Sequence, residues 1–234
     1  MVILSFNRFV HRNTQLFFIP LNPSPESWHA GHYFAANEIF WDALFDSGLI
    51  DEPPETKPRK TQTGDTLEVQ VIKEKWADEI TFGGRLFNHR KWIYSILDLA
   101  PDIIEAKSEK VAKQLRADHF QVLLSILQDY RPSFAVLMHA VVWKKFVNVF
   151  LRRNGLLVEK EEQRWFQYRI AACQRNPKRK DVGPIGKVLK GLDTFFYYVP
   201  FPSKRNGDKA EHANFWAGLA ELMEQELVGS QNRG

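Results

Sequence analysis

Short apolar segments that alternate with helical ones constrain the fold of this chain more than any other feature of its sequence. Four short segments are rich in β-branched and aromatic residues, which is typical of buried strands. They cover residues 15–21, 92–97, 134–138 and 194–201. Because helical segments lie between them, we predict an α/β fold, a three-layer α/β/α sandwich with a central, mostly parallel sheet.

Four other segments repeat their apolar residues with the period of a helix. Helices are therefore predicted over residues 37–49, from 120 to just before Pro132, over 146–155 and over 212–227. Asn37 is the expected N-cap of the first, because its side chain can accept from free backbone N–H groups. Residues 51–66 hold prolines and charges but no large apolar side chain, which predicts a surface insertion in a single domain spanning 1–234. Apolar alternation over 67–71 favours a strand after it.

Several classes of protein are excluded by composition. The one cysteine, Cys173, permits no intrachain disulfide and no thiolate metal cluster. The longest apolar stretch, 134–143, is ten residues long, whereas a membrane-spanning helix needs about twenty. The first nine residues lack the basic leader and long apolar core of a secretory signal. We therefore expect an intracellular, cytoplasmic protein with no membrane partner, associated with the nucleoid if the source is bacterial.

The basic residues are unevenly distributed along the chain. The formal net charge is only +4, but fifteen Lys and Arg stand against five Asp and Glu between Lys144 and Arg205. A basic block of this size is expected in a protein that binds nucleic-acid phosphates. A solvated basic surface with no partner is the alternative, and charge alone does not separate the two.

Two loops at opposite ends of the chain follow predicted strands, at the edge where α/β sheets bind ligands. The first segment reads IPLNPSPESWHAGHYFAANEIFWDALFDSGL over residues 19–49, and the second reads VPFPSKRNGDKAEHANFWAGLAELMEQEL over 199–227. They combine an Asn-Pro turn, a Gly-His-aromatic-aromatic segment, a helix beginning at Asn37 and a Pro-Ser loop after the last strand. In these features the sequence resembles the uracil-DNA glycosylase superfamily, most closely its mismatch-specific uracil/thymine branch.

The resemblance implies a monofunctional DNA glycosylase of base-excision repair. Such an enzyme flips uracil, or a related deaminated or mismatched base, out of the stack and hydrolyses its N-glycosidic bond. It implies that Asn22 is catalytic and holds the attacking water. Among the base-binding residues, Phe34 would stack on the base, Ser24 would leave space beside the 5-position, and His32 would donate to the base or a phosphate. Local sequence leaves other interpretations open: a turn residue for Asn22, a core aromatic for Phe34 and a structural histidine for His32.

The second loop is implied to bind DNA through Ser203, Lys204, Arg205 and Asn206. By the resemblance, Arg205 would fill the space that the flipped base vacates, Ser203 would contact a phosphate and Lys204 would lie nearby. An ordinary basic turn is the alternative. The implied partner is DNA that contains uracil or a mismatched or deaminated base, bound by a monomer. No cofactor is implied, and no metal site is expected because the histidines lack ligand spacing.

Two departures from the family pattern leave other hypotheses open. Phe201 stands where uracil-specific members have His and bacterial mismatch enzymes have Asn, and Pro20 stands where the family has Gly. One alternative is a non-catalytic lesion or abasic-site DNA-binding protein on the same fold, and another is an enzyme that prefers hypoxanthine. Asp98, just after a predicted strand, is a candidate for contact with the base. His139, at the end of another strand, is expected to be buried and hydrogen-bonded.

Overall fold

A computed structural model gives the fold of the chain. The structure describes residues 10–30, 33–34, 37–50, 56–60, 66–70, 92–146, 183–186, 189, 191–203 and 209–231. The strands are β1 (Leu16–Ile19), β2 (Thr56–Lys60), β3 (Thr66–Gln70), β4 (Tyr94–Ile96), β5 (Phe134–Met138), β6 (Gly183–Gly186) and β7 (Phe195–Val199). The helices are α1 (Pro25–Ala30), α2 (Glu38–Asp46), α3 (Ser108–Gln114), α4 (Ala117–Tyr130), α5 (Ala140–Lys145) and α6 (Lys209–Gln231).

Within the described part of the chain, five strands form the central sheet in the order β4-β1-β5-β7-β6. β1 pairs in parallel with β4 and β5, and β5 pairs in parallel with β7. Only β6, at the edge beside β7, runs antiparallel. The α/β class and the mostly parallel sheet predicted from the sequence are therefore confirmed. The four apolar segments predicted as strands correspond to β1, β4, β5 and β7, and the strand favoured over 67–71 corresponds to β3.

The two faces of the sheet belong to two separate cores, because side chains alternate between the faces of a strand. On one face Phe18 packs with Phe40 of α2 and Trp216 of α6. On the other face Phe17 packs with residues of α3, α4 and α5, including Leu123. Helices therefore cover both faces of the sheet. Full burial of each such large apolar side chain contributes about 1.5–3 kcal/mol to stability.

Several details of the sequence prediction need correction. The 51–66 segment, expected to be a surface insertion, contains strand β2, which pairs with β3 in a separate two-stranded antiparallel sheet. Helix α1, which begins at Pro25, was not predicted from the sequence. The helix expected over 146–155 lies outside the described residues except for Phe146, and the described helix α5 begins earlier, at Ala140. The other two helices are confirmed within α4 and α6, and α2 ends at Asp46, three residues before Leu49.

The strand order opens a crevice at one edge of the sheet. β1 lies between β4, the next parallel strand along the chain, and β5, from which the sheet continues in the other direction to β7. The loops after two such neighbouring strands lead away in opposite directions, which leaves a crevice beyond the carboxyl ends of the strands. Ligands bind in crevices of this kind. Within the described residues no helix is both long and apolar enough to cross a membrane.

Candidate active site

A cavity of about 600 Å³ lies at the carboxyl edge of the sheet. Its wall is built by three segments that follow three different strands. The segment after β1 contributes residues from Pro20 to Ile39, Asp98 follows β4, and residues from Phe201 to Ser203 follow β7. A cavity of this size and position suits a small ligand or a single nucleotide base.

Asn22 lies in the cavity wall with its amide orientation determined by its neighbours. Its Nδ2 donates to the backbone carbonyl oxygens of Pro23, at 2.8 Å, Ile103, at 2.9 Å, and Glu105, at 2.8 Å. A carbonyl oxygen can only accept, so the nitrogen and not the oxygen of the carboxamide must face these three groups. The Oδ1 atom is therefore turned away from them, and no described residue donates a hydrogen bond to it. Asn22 can offer this acceptor to a ligand or a water.

Ser24 lies in the same wall and also begins helix α1. Its Oγ accepts from the Ser27 backbone N–H at 3.1 Å and lies 3.2 Å from the Ser27 hydroxyl. This contact satisfies one of the free N–H groups at the start of the helix. Ser24 therefore has a structural role that the sequence prediction did not include, and its small side chain leaves space on that side of the cavity.

Phe34 belongs to the core, as one interpretation of the sequence expects, and it also lines the cavity. Its ring is stacked on Phe40 with centroids 4.0 Å apart and an interplanar angle of 26°. Its backbone has φ of 52°, which is uncommon outside glycine. The Phe34 carbonyl oxygen accepts from the Asn37 N–H, at 3.0 Å, and from Trp41 Nε1, at 3.1 Å. These contacts hold the strained backbone and present the ring to the cavity.

Asp98 is the carboxyl group in the cavity wall, and only 2% of it is exposed. Backbone hydrogen bonds on either side of Asp98 set its position. The Leu97 N–H donates to the Phe18 carbonyl oxygen at 2.8 Å, and the Leu99 N–H donates to the Pro20 carbonyl oxygen at 3.0 Å. Burial raises the pKa of Asp98 to about 8. At neutral pH the group is therefore a protonated carboxyl that can both donate and accept a hydrogen bond.

Tyr33, which sequence reasoning did not single out, lies beside Asp98 in the cavity wall. Burial raises the pKa of Tyr33 well above its ordinary value, and the Asp98 carboxyl raises it further. The hydroxyl therefore stays protonated over the physiological range. A sequence signal existed for Asp98 alone, in the alternation Tyr94, Ile96, Asp98, which continues an inward-facing apolar row with a carboxyl group.

His139 is hydrogen-bonded as expected, but it is only partly buried and caps a helix. Its Nδ1 accepts from the Val141 backbone N–H at 3.0 Å, at the start of α5. Burial lowers the pKa of its imidazole. The ring centroid lies 6.0 Å from that of Phe201, so His139 stands behind a residue of the cavity wall. Its backbone φ of 118° is rare for a residue with a side chain.

The structure brings four of the predicted site residues to one cavity: Asn22, Ser24, Phe34 and Ser203. The other predicted site residues, His32, Lys204, Arg205 and Asn206, lie outside the described residues. Comparison of the sequence with protein families and with curated proteins finds no match. Interpretation of the site therefore depends on its geometry and on the two sequence segments that form it.

Proposed function

We propose that the protein is a monofunctional DNA glycosylase that excises uracil or a related deaminated or mismatched base. The observation that carries this proposal is the meeting of two distant segments at one cavity. Asn22 and Phe34 come from the segment after β1, and Ser203 comes from the loop after β7. These are the two segments on which the resemblance to uracil-DNA glycosylases depends.

Asn22 supports water attack on the N-glycosidic bond. Its Oδ1 is an acceptor held in one orientation by the three carbonyl groups that bind Nδ2. A water bound to this oxygen would be positioned for attack, and positioning alone supplies a large part of catalysis. A carboxamide is a poor proton acceptor, so the rate depends on how readily the base departs.

The cavity offers two kinds of contact to a flipped base. Phe34 supplies an aromatic face, and stacking of a base on such a face contributes about 1–3 kcal/mol. The protonated carboxyl of Asp98 supplies a donor and an acceptor to polar atoms on the edge of the base. Ser24 leaves the cavity open to substituents at the 5-position.

The second loop completes the proposal on the DNA side. Ser203 lies in the cavity wall, and Lys204, Arg205 and Asn206 follow it in the sequence. We propose that Arg205 enters the duplex and occupies the position of the flipped nucleotide, while Ser203 and Lys204 contact phosphates. We propose that the enzyme is intracellular and acts as a monomer, without metal or cofactor.

The experiment that tests the proposal uses labelled duplexes that contain uracil, thymine opposite guanine, hypoxanthine or an abasic site. The three duplexes that carry a base at the test position are incubated with the protein and then treated with alkali, which cleaves DNA where a base has been lost, whereas binding to the abasic duplex is measured directly. Cleavage after incubation with the protein and not with its Asn22→Ala variant supports the glycosylase, and the ranking of duplexes identifies the base. Tight binding to the abasic duplex without base release from any other would instead support the DNA-binding alternative.

A further inference from the structure

The segment from Ile103 to Glu105 belongs to the loop after β4, yet it determines how the Asn22 side chain is held. Two of the three carbonyl oxygens that accept from Asn22 Nδ2 come from this segment, at 2.9 Å from Ile103 and 2.8 Å from Glu105. These oxygens cannot donate, so they favour a group with N–H bonds and disfavour a carboxylate. The segment therefore bears on which residue can occupy position 22 as well as on its orientation.

The segment is itself fixed at both ends. The Ile103 side chain is buried in one of the two cores, and its N–H donates to the Ala100 carbonyl oxygen at 3.2 Å. The Glu105 carboxylate accepts from the Lys107 N–H at 3.0 Å and pairs with Lys110 Nζ at 3.2 Å. The side chain of Glu105 therefore anchors the same residue whose carbonyl oxygen holds Asn22.

We propose that Glu105 is a positioning residue that acts through the 103–105 backbone to keep the Asn22 carboxamide oxygen directed to the cavity, and that this backbone selects an amide over a carboxylate at position 22. The catalytic consequence rests on the proposed glycosylase function. The selection for an amide does not, because it is visible in stability alone.

The first test replaces the amide by a carboxyl. In Asn22→Asp an ionised side chain would face three carbonyl oxygens, in a cavity wall that also holds Asp98 and Tyr33 and whose described residues offer it no positive charge. The folded state therefore raises the pKa of the new carboxyl above its unfolded value. The folded variant then holds a proton that the unfolded chain has lost, and its stability relative to the parent falls as pH rises from about 5 to 8. We expect the ratio of unfolding constants, variant over parent, to grow at least about tenfold across this range.

Asn22→Ala is the matched control, because it removes the same hydrogen bonds without adding a titratable group. Its stability difference from the parent should be independent of pH in urea unfolding. A pH-independent difference for Asn22→Asp as well would overturn the proposed selection. This test needs no DNA, so it remains decisive even if the protein releases no base.

The second test addresses Glu105 by the rate of base release in a single turnover. Glu105→Ala should slow release by about tenfold at unchanged DNA affinity, because a small displacement of a positioned group is costly. Glu105→Gln, which retains an acceptor for the Lys107 N–H, should recover most of the rate. Asp129→Ala removes an exposed negative charge on α4 and should leave the rate at the parental value. A parental rate for Glu105→Ala, or no recovery in Glu105→Gln, would overturn the positioning role.

Discussion

Asn37 donates from Nδ2 to the backbone carbonyl oxygen of Pro202 at 2.9 Å, which joins the start of helix α2 to the loop after β7. The Oδ1 atom of the same side chain accepts from the Phe40 N–H at 3.1 Å and caps the helix. One carboxamide therefore connects the two segments that form the cavity, although they lie at opposite ends of the sequence.

Two variants of Asn37 distinguish its role as the helix cap from its hydrogen bond to Pro202. Asn37→Ser keeps a good N-cap hydroxyl but is too short to reach Pro202, so it should lower the free energy of unfolding by about 1 kcal/mol. Asn37→Ala loses the cap as well and should cost about 1 kcal/mol more. Urea unfolding of the parent and both variants measures the two steps. Parental stability for Asn37→Ser would show that the contact with Pro202 contributes nothing in solution.

We expect Asp98 to make the stability of the protein depend on pH. Its folded pKa of about 8 lies above the ordinary value of 3.8, so between these values the folded state binds a proton that the unfolded state has released. Stability should therefore fall as pH rises through this range, on the order of 1 kcal/mol for each pH unit, and the loss is complete above about pH 8. Asp98→Asn resembles the protonated form but does not titrate. Its stability advantage over the parent should be small near pH 4 and largest near pH 8, whereas parallel stability curves would contradict the buried carboxyl.

The rate of base release provides a second comparison of the parent and the Asp98→Asn variant. If the protonated carboxyl donates to the base, release by the parent should slow as pH rises above about 8. Asp98→Asn retains a donor at every pH and should show no such decline. An identical decline in both proteins would assign the pH dependence to another group.

The sequence predicted the parts of the fold that depend on local pattern. β5 and β7 are continuous runs of apolar and aromatic residues, and such runs favour strands wherever they occur. β6, by contrast, reads Gly183-Pro-Ile-Gly186, and its strand conformation depends on pairing with β7. Helix α1 was missed because the proline and serine residues before it also favour turns.

The candidate site was predictable only where a motif marked it. Asn22, Ser24, Phe34 and Ser203 were identified through the two segments that resemble the glycosylases, and all four line the cavity. Tyr33 was missed, and Asp98 was identified only by its place after a strand. Their proximity is created by packing between the loops after β1 and β4, which no local pattern encodes.

Ser24 lines the cavity and is proposed to leave space beside the 5-position of the base. Ser24→Tyr should lower the rate on 5-substituted pyrimidines relative to uracil, because the larger ring occupies the space beside the base. Ser24→Thr is the control, since its hydroxyl can still accept from the Ser27 N–H at the start of α1. Competition between uracil and 5-substituted duplexes measures the ratio. Equal ratios for the parent and Ser24→Tyr would place the 5-position elsewhere.

Arg205 and Lys204 carry the same charge and, by the resemblance, different roles. Arg205→Ala should slow release strongly in duplex DNA and much less in single strands, where the base is already easy to unstack. Lys204→Ala should weaken binding to every sequence. It should also reduce the slope of the logarithm of the binding constant against the logarithm of salt concentration by about one. For each variant we would measure the ratio of release rates in duplex and single-stranded DNA, and the salt dependence of DNA binding. Identical behaviour of the two variants would mean that Arg205 does not enter the duplex.

The central claim is that Asn22 positions the water that releases the base. The most direct test is single-turnover release by the parent and by Asn22→Ala, on the best duplex of the panel, with affinity for that duplex measured in parallel. We expect the variant to be slower by on the order of a hundredfold or more and to bind the duplex within a few-fold of the parent. Release at the parental rate by Asn22→Ala would contradict this claim.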